Sequence, residues 1–286
     1  MSDYLVKGMA EEFIRFTGVN SRQTIEEARK RHNLSRLATA ALGRALTATI
    51  ILASDLKNSG DLLTLRIFGD GPLGGIVCSA GNDGMVRGYL LNPEVELPLN
   101  DASKLDVGRG VGKGHLYVTK DLGLKEPYTG TVQLVSGEIA EDVAYYLYYS
   151  EQRPNVFNLG VLINPDGSVA RAGGYLIEIL PGAPEEIIST LEKNLGKQQS
   201  LTYQLQQGKQ IEEIIQEVVN PYKIEIYVKK PVGFLCNCSR EKLLPHLIGL
   251  YSEITDEEEI EAVCHFCREK YTFLGKEIKE YKEKNT

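Results

Sequence analysis

Four of the five cysteines in this 286-residue chain stand in its last fifth, at Cys236, Cys238, Cys264 and Cys267. They read C-N-C, a spacer of 25 residues, then C-H-F-C. Four thiolates are soft, negatively charged donors, the set that fills a tetrahedral site around zinc and leaves no open position. That requirement constrains the fold, because sulfurs sharing one zinc sit roughly 3.8 Å from one another. The first pair is unusual, since zinc ribbons normally join C-x-x-C to C-x-x-C. In an extended segment the Cα atoms of Cys236 and Cys238 lie about 6.6 Å apart, near the upper limit for a disulfide. In a turn, Cys264 and Cys267 come within bridging range. Each pair can therefore hold a metal or close on itself by oxidation. The pattern predicts a switch; a permanent structural zinc site is the plainer alternative.

Energetics sharpen that expectation. The last 55 or so residues are fewer than a core alone stabilises comfortably. Their apolar members are Phe234, Leu243, Leu244, Leu247, Ile248, Leu250, Ile254, Ile260, Val263 and Phe266, interrupted by Asp256, Glu257, Glu258, Glu259 and Glu261. Structural zinc contributes on the order of 10–16 kcal/mol in small peptides near neutral pH, more than the net stability of such a segment. Oxidation is therefore predicted to eject zinc and unfold the segment, and two helices upstream to lose their docking partner with it. Arg240, Lys242, Arg268 and Lys270 flank the cysteines. They either offset the −2 charge of a zinc–tetrathiolate site or form an ordinary solvated surface.

The whole chain is 42% hydrophobic and 25% charged, with net charge −7, which predicts a globular protein with a real core. No basic stripe is present, so nucleic acid is not an expected partner. The first sixteen residues lack a continuous apolar run, so no signal peptide is expected. The apolar stretch Leu37 to Leu56 contains Arg44 and Asp55 and reads as a buried core helix, with no membrane partner. A cytoplasmic location follows, where clustered cysteines favour metal or redox chemistry over structural disulfides.

Residues 1–180 read as one α+β body. Thr24-Ile25-Glu26-Glu27 predicts a capping box opening a helix, and Ser35 caps the next, whose small residues Ala38, Ala40, Gly43 and Ala48 allow close packing. Leu63, Leu65 and Ile67 alternate as a strand. Ile76 to Ala80 and Met85 to Leu90 bracket a Gly-Asn-Asp-Gly turn, and further strands are expected at Leu116 to Thr119 and Thr131 to Val135. Ser136 is the expected cap of a helix through Ile139, Val143 and Leu147. Val156 to Ile163 and Ser168 to Leu180 flank Asn164-Pro165-Asp166-Gly167. The implied sheet is antiparallel, with helices to one side. After Leu180-Pro181-Gly182, residues 181–230 read as a polar helical linker with thin apolar stripes, Ile187, Ile188, Leu191 and Leu195, then Ile211, Ile214, Ile215 and Val218. Residues 231–286 hold the cysteines.

Other motifs are weaker. Cys78 in an apolar strand reads as an inert buried thiol. His265 reads as a spectator, because four cysteines already complete the ligand set. Gly108 to Gly114 lacks the spacing of a phosphate loop, His32, His115 and His246 are isolated, and Tyr145, Tyr146, Tyr148 and Tyr149 read as packing. The C-x-x-C alone would suit a thiol–disulfide oxidoreductase, provided that it opens a helix after a strand. A zinc ribbon for nucleic acid would need a basic surface that this acidic segment lacks.

The chain resembles the bacterial redox-regulated heat-shock chaperones of the 33-kDa chaperonin family over essentially its whole length. The resemblance is carried by Cys236-Asn237-Cys238 and Cys264-His265-Phe266-Cys267. In the body it is carried by Leu42-Gly43-Arg44-Ala45, Asn92-Pro93-Glu94-Val95-Glu96-Leu97, Asp121-Leu122-Gly123-Leu124 and Val135-Ser136-Gly137-Glu138-Ile139. It implies an α+β chaperone core over 1–180, a helical linker over 181–230 and a zinc-binding redox-switch domain over 231–286. It implies no enzymatic activity. Reduced protein would bind one zinc through Cys236, Cys238, Cys264 and Cys267 and be inactive. Oxidation would form the disulfides Cys236–Cys238 and Cys264–Cys267 and release zinc. The terminal domain and linker would then become disordered, a homodimer would be favoured, and unfolding or oxidatively damaged client proteins would be held without ATP.

Overall fold

The computed structural model describes residues 2–250 and 254–285, with the side chains of Leu250 and Asn285 outside the description. Contacts divide the chain into two compact units, Met1–Phe234 and Leu235–Thr286.

The first unit runs β1 (Tyr4–Ala10), β2 (Ile14–Asn20), α1 (Arg22–His32), α2 (Arg36–Ala53), β3 (Leu62–Gly69), β4 (Gly75–Ala80), β5 (Met85–Leu90), α3 (Val107–Val111), β6 (Gly114–Asp121) and β7 (Tyr128–Gln133). It continues with α4 (Ala140–Glu151), β8 (Asn155–Ile163), β9 (Val169–Ile179), α5 (Glu185–Leu195), α6 (Leu201–Gln206), α7 (Ile211–Val219), β10 (Ile224–Pro231) and β11 (Gly233–Phe234). Two sheets result, ordered β10-β1-β2-β9-β8 and β11-β5-β4-β3-β6-β7. All pairings are antiparallel except the short β11–β5 contact. The α+β class with antiparallel sheets is as expected.

Helix α2 lies between the sheets, touching β2, β8 and β9 of one and β3, β4 and β5 of the other. This explains its composition: it is long and apolar enough to cross a membrane, yet 89% of it is buried inside the protein. Its small residues admit neighbours closely. A Cβ on Gly43 would stand 2.8 Å from Ile25 Cγ2 and 3.1 Å from Val161 Cγ2. Ser35 caps it as predicted, accepting from the Ala38 N–H at 3.0 Å.

Two predicted caps are corrected. Helix α1 begins at Arg22, before Thr24, and no capping box forms. Instead Asp3, ahead of β1, accepts from the Thr24 N–H at 2.6 Å and from its hydroxyl at 2.8 Å. Ser136 does not cap α4. The buried Asp142 carboxylate gathers the N–H groups of Val135, Ser136 and Gly137 on one oxygen and that of Ile139 on the other. In both cases a carboxyl group with two acceptor oxygens does what one hydroxyl was expected to do: Asp3 takes an orphan donor in the first turn of α1, and Asp142 takes that of Ile139 together with the loop N–H groups ahead of α4.

The residues expected to form a polar helical stretch up to 230 do form α5, α6 and α7, but Ile224–Pro231 is strand β10, paired with β1. The three helices lay Ile187, Leu191, Leu201, Leu205, Ile211, Ile214, Ile215 and Val218 onto Val6, Ala10, Ile14, Phe16, Tyr175 and Ile177 of the first sheet. Helices therefore cover both faces of that sheet rather than one. Gly18 makes room: a Cβ there would stand 2.7 Å from Ile215 Cδ1.

A charge network ties β1, β2, β9 and the ends of α2 and α4. Arg153 donates to Asp55 (2.8 Å), Glu151 (2.8 Å) and Glu178 (2.5 Å), while Lys7 reaches Asp55 (2.6 Å), Arg15 reaches Glu178 (2.8 Å) and Lys120 reaches Glu151 (2.5 Å).

The second unit contains α8 (Arg240–Leu243) leading into a 3₁₀ turn (Leu244–Leu250), then hairpin β12 (Glu259–Val263) and β13 (Lys270–Leu274), then α9 (Gly275–Asn285). Among its described residues the buried apolar side chains are Phe273 and Ile278, joined by Cys264 and Cys267. Leu243, Leu244, Leu247, Ile248, Ile260, Val263 and Phe266 are only half-buried.

Candidate metal centre

The C-H-F-C pair occupies the turn between β12 and β13. The Cys264 N–H donates to Glu269 O at 2.9 Å and the Arg268 N–H to Cys264 O at 2.8 Å. Arg268 takes the left-handed conformation, φ +62°, that closes the turn. The C-N-C pair lies in the loop ahead of α8, whose cap is Ser239. Folding brings both pairs together: the Sγ atoms of Cys236, Cys238, Cys264 and Cys267 all lie within 4.8 Å of one another. Cys236 and Cys264 are separated by 3.8 Å, and Cys238 and Cys267 by 3.4 Å. His265 is exposed and outside the cluster. Cys78 belongs to the first unit, buried between α2 and β5, where burial pushes its thiol well above the ordinary range.

The electrostatics favour a cation. Burial pushes the Cys236 thiol up, and the neighbouring Cys264 charge adds to this against the N–H of Cys238. Burial likewise pushes Cys267 up, with Cys238, Cys264 and Cys236 reinforcing it against the Glu269 N–H. Cys238 is held down: burial opposes its ionisation, but hydrogen bonds from Tyr271 and the other three cysteines outweigh that. The cluster thus resists carrying four negative charges alone. A divalent ion removes the repulsion, and four converging sulfurs at these spacings fit a tetrahedral thiophilic ion. The four cysteines can bind a metal.

Tyr271 is the site residue that sequence reasoning missed. Its hydroxyl lies 3.3 Å from Cys238 Sγ and 3.3 Å from Cys238 O. Only the β12–β13 register, which pairs it with Ala262, reveals its place. The flanking cations serve other partners. Arg240 pairs with Glu277 at 2.6 Å and lies over Phe273, Lys270 pairs with Glu261 at 2.9 Å, and Lys242 reaches Asn237 O at 2.7 Å.

The model of the family described as Hsp33 protein matches residues 3–274. The chain belongs to the Hsp33 family. It is 93% identical to a 33 kDa chaperonin of Carboxydothermus hydrogenoformans over the full length of both chains. It is 46% identical to that of Desulforamulus reducens, covering 97% of this chain and 96% of the relative. A crystal structure of the 33 kDa chaperonin (heat shock protein 33 homolog) from Thermotoga maritima superposes with a TM-score of 0.92 at 36% identity, covering 99% of each. Membership of the Hsp33 family makes the chain a chaperone and not an enzyme. The oxidoreductase alternative also loses its structural premise, because Cys264 sits in a hairpin turn and opens no helix.

Proposed function

We propose that this chain is a cytoplasmic, ATP-independent holdase whose four cysteines hold one zinc in the reduced, inactive state and form disulfides on activation. The observation that carries the reading is the second unit's poor core: beside two buried ligand cysteines, Phe273 and Ile278 alone are buried among its described apolar residues. The four thiolates of Cys236, Cys238, Cys264 and Cys267 would hold the ion, which supplies the cross-link that packing does not.

Under hydrogen peroxide each pair of thiolates would give up two electrons, and the peroxide, taking these with two protons from solvent, leaves as two waters. The pairs Cys236–Cys238 and Cys264–Cys267 are local in sequence, so their members stay together when the C-N-C loop and the hairpin move apart. With the donors consumed, little besides Phe273 and Ile278 is left to hold residues 235–286 together. Residues 181–230 act as a linker between the 1–180 core and the 231–286 switch. Loosening α5, α6 and α7 would bare Val6, Phe16, Tyr175 and Ile177, an apolar surface of the kind that holds unfolding or oxidatively damaged clients and favours a homodimer. The test is to treat the protein with hydrogen peroxide at elevated temperature, then measure released zinc and the aggregation of a thermally unfolding client. Zinc release together with suppressed aggregation is expected; zinc release with unchanged aggregation defeats the reading.

A further inference from the structure

We propose that Tyr271 is a positioning residue of the thiol switch: its hydroxyl clasps Cys238, by sulfur and by carbonyl, and ties the C-N-C loop to the hairpin carrying the other pair. The role rests on the metal-holding reading above.

The geometry is specific. Tyr271 stands on β13, four residues past Cys267, and its hydroxyl is 3.3 Å from both Cys238 Sγ and Cys238 O. A phenol has one proton, shared here between the two acceptors. When Cys238 is a thiolate the contact to sulfur is charge-assisted. It draws electron density from that sulfur and fixes its direction, as partners behind metal ligands generally do. The contact belongs to the reduced state. Forming a disulfide at Cys238 takes two electrons from a pair of thiolates, passes them with two protons from solvent to hydrogen peroxide, which leaves as two waters, and turns an anionic acceptor into a neutral, weaker one. Tyr271 therefore favours the reduced form and resists oxidation at Cys238.

A second link supplies the control. Arg240, two residues past Cys238, reaches the same hairpin without touching sulfur: it bonds Thr272 O and lies 4.4 Å over the Phe273 ring.

The test compares Tyr271→Phe, Arg240→Met and the parent chain, each loaded with Zn(II) or with Co(II) as a spectroscopic probe. Tyr271→Phe should lower zinc affinity about tenfold by chelator competition. It should also move the thiolate-to-Co(II) charge-transfer band to lower energy and lower the peroxide concentration that consumes half the thiols. Arg240→Met can weaken metal holding but should leave the band in place. Site-specific 3-fluorotyrosine at position 271, a stronger donor of nearly the same shape, should move the band the other way, which keeps the test valid if the phenylalanine variant folds poorly. An unmoved band in both Tyr271 variants overturns the proposal, as does the same shift in Arg240→Met. A parent chain that binds neither ion overturns this proposal and the zinc reading together, whereas failure to protect clients touches only the holdase reading.

Discussion

Cys238 Sγ lies 3.4 Å from Cys267 Sγ across 29 residues of chain, while Cys236 faces Cys264 at 3.8 Å. These contacts run between the two cysteine pairs rather than within them. Such proximity suits four ligands around one ion. It also makes the disulfide outcome a real question, because any two of the four sulfurs are within 4.8 Å. Peptide mapping after peroxide is expected to give Cys236–Cys238 and Cys264–Cys267, because a fluctuating hairpin separates the two pairs but not the members of one. Predominant Cys238–Cys267 would show that oxidation traps the folded arrangement and that the second unit stays closed.

Removing the metal should melt the second unit and spare the first. Chelation of the reduced protein, or Cys267→Ser, is expected to open residues 235–286 to protease while a fragment ending near Phe234 survives. A structural zinc held by these cysteines would be worth on the order of 10 kcal/mol, beyond what two buried apolar side chains replace. Equal protection of the terminal segment with and without chelator would refute this.

Arg153 answers three carboxylates, of which the Glu178 side chain is 5% exposed. Arg153→Met removes the cation shared by all three and leaves only Lys7 on Asp55, Lys120 on Glu151 and Arg15 on Glu178, which should cost about 2 kcal/mol. A urea midpoint for the first unit within error of the parent would contradict that.

The same network sets an acid limit. Burial opposes ionisation of Asp55 and Glu151, but Lys7, Arg153 and Arg15 around the first and Lys120, Arg153 and Tyr146 around the second hold both below the ordinary carboxylate range. Their folded pKa values lie under the unfolded ones, so their contribution is complete above about pH 4 and is lost as pH falls through the folded values. Asp3 runs the other way. Burial pushes its carboxyl up against hydrogen bonds from Thr24 and Gln23, so it costs stability as pH rises past the unfolded value. Urea midpoints from pH 7 to pH 3 should fall at the acid end, and Arg153→Met should flatten that fall.

Gly43 sits where α2 meets α1 and β8. Gly43→Ala places a methyl 2.8 Å from Ile25 Cγ2 and 3.1 Å from Val161 Cγ2. Overpacking there should cost about 1–3 kcal/mol despite the better helix propensity of alanine. A raised melting temperature in calorimetry would show that the contact relaxes freely.

Much of the fold was legible because its signals are local. The alternation of Leu63, Leu65 and Ile67, the turn between β4 and β5, and the Ser35 cap each depend on neighbours in the chain, and all three appear where expected. The misplaced features depend on distant partners. Asp3 reaches α1 across 21 residues, Asp142 displaces the role given to Ser136, and Ile224 to Pro231 become strand only because β1 offers a free edge.

By itself the sequence determined that four soft, negatively charged donors able to bind a metal stand in the last fifth of the chain, since donor softness and charge are properties of the residues. Tertiary structure alone decided that Tyr271 stands against Cys238 and that Arg240 and Lys270 turn to carboxylates. Those are matters of hairpin register and through-space distance, which a linear pattern of residues does not carry.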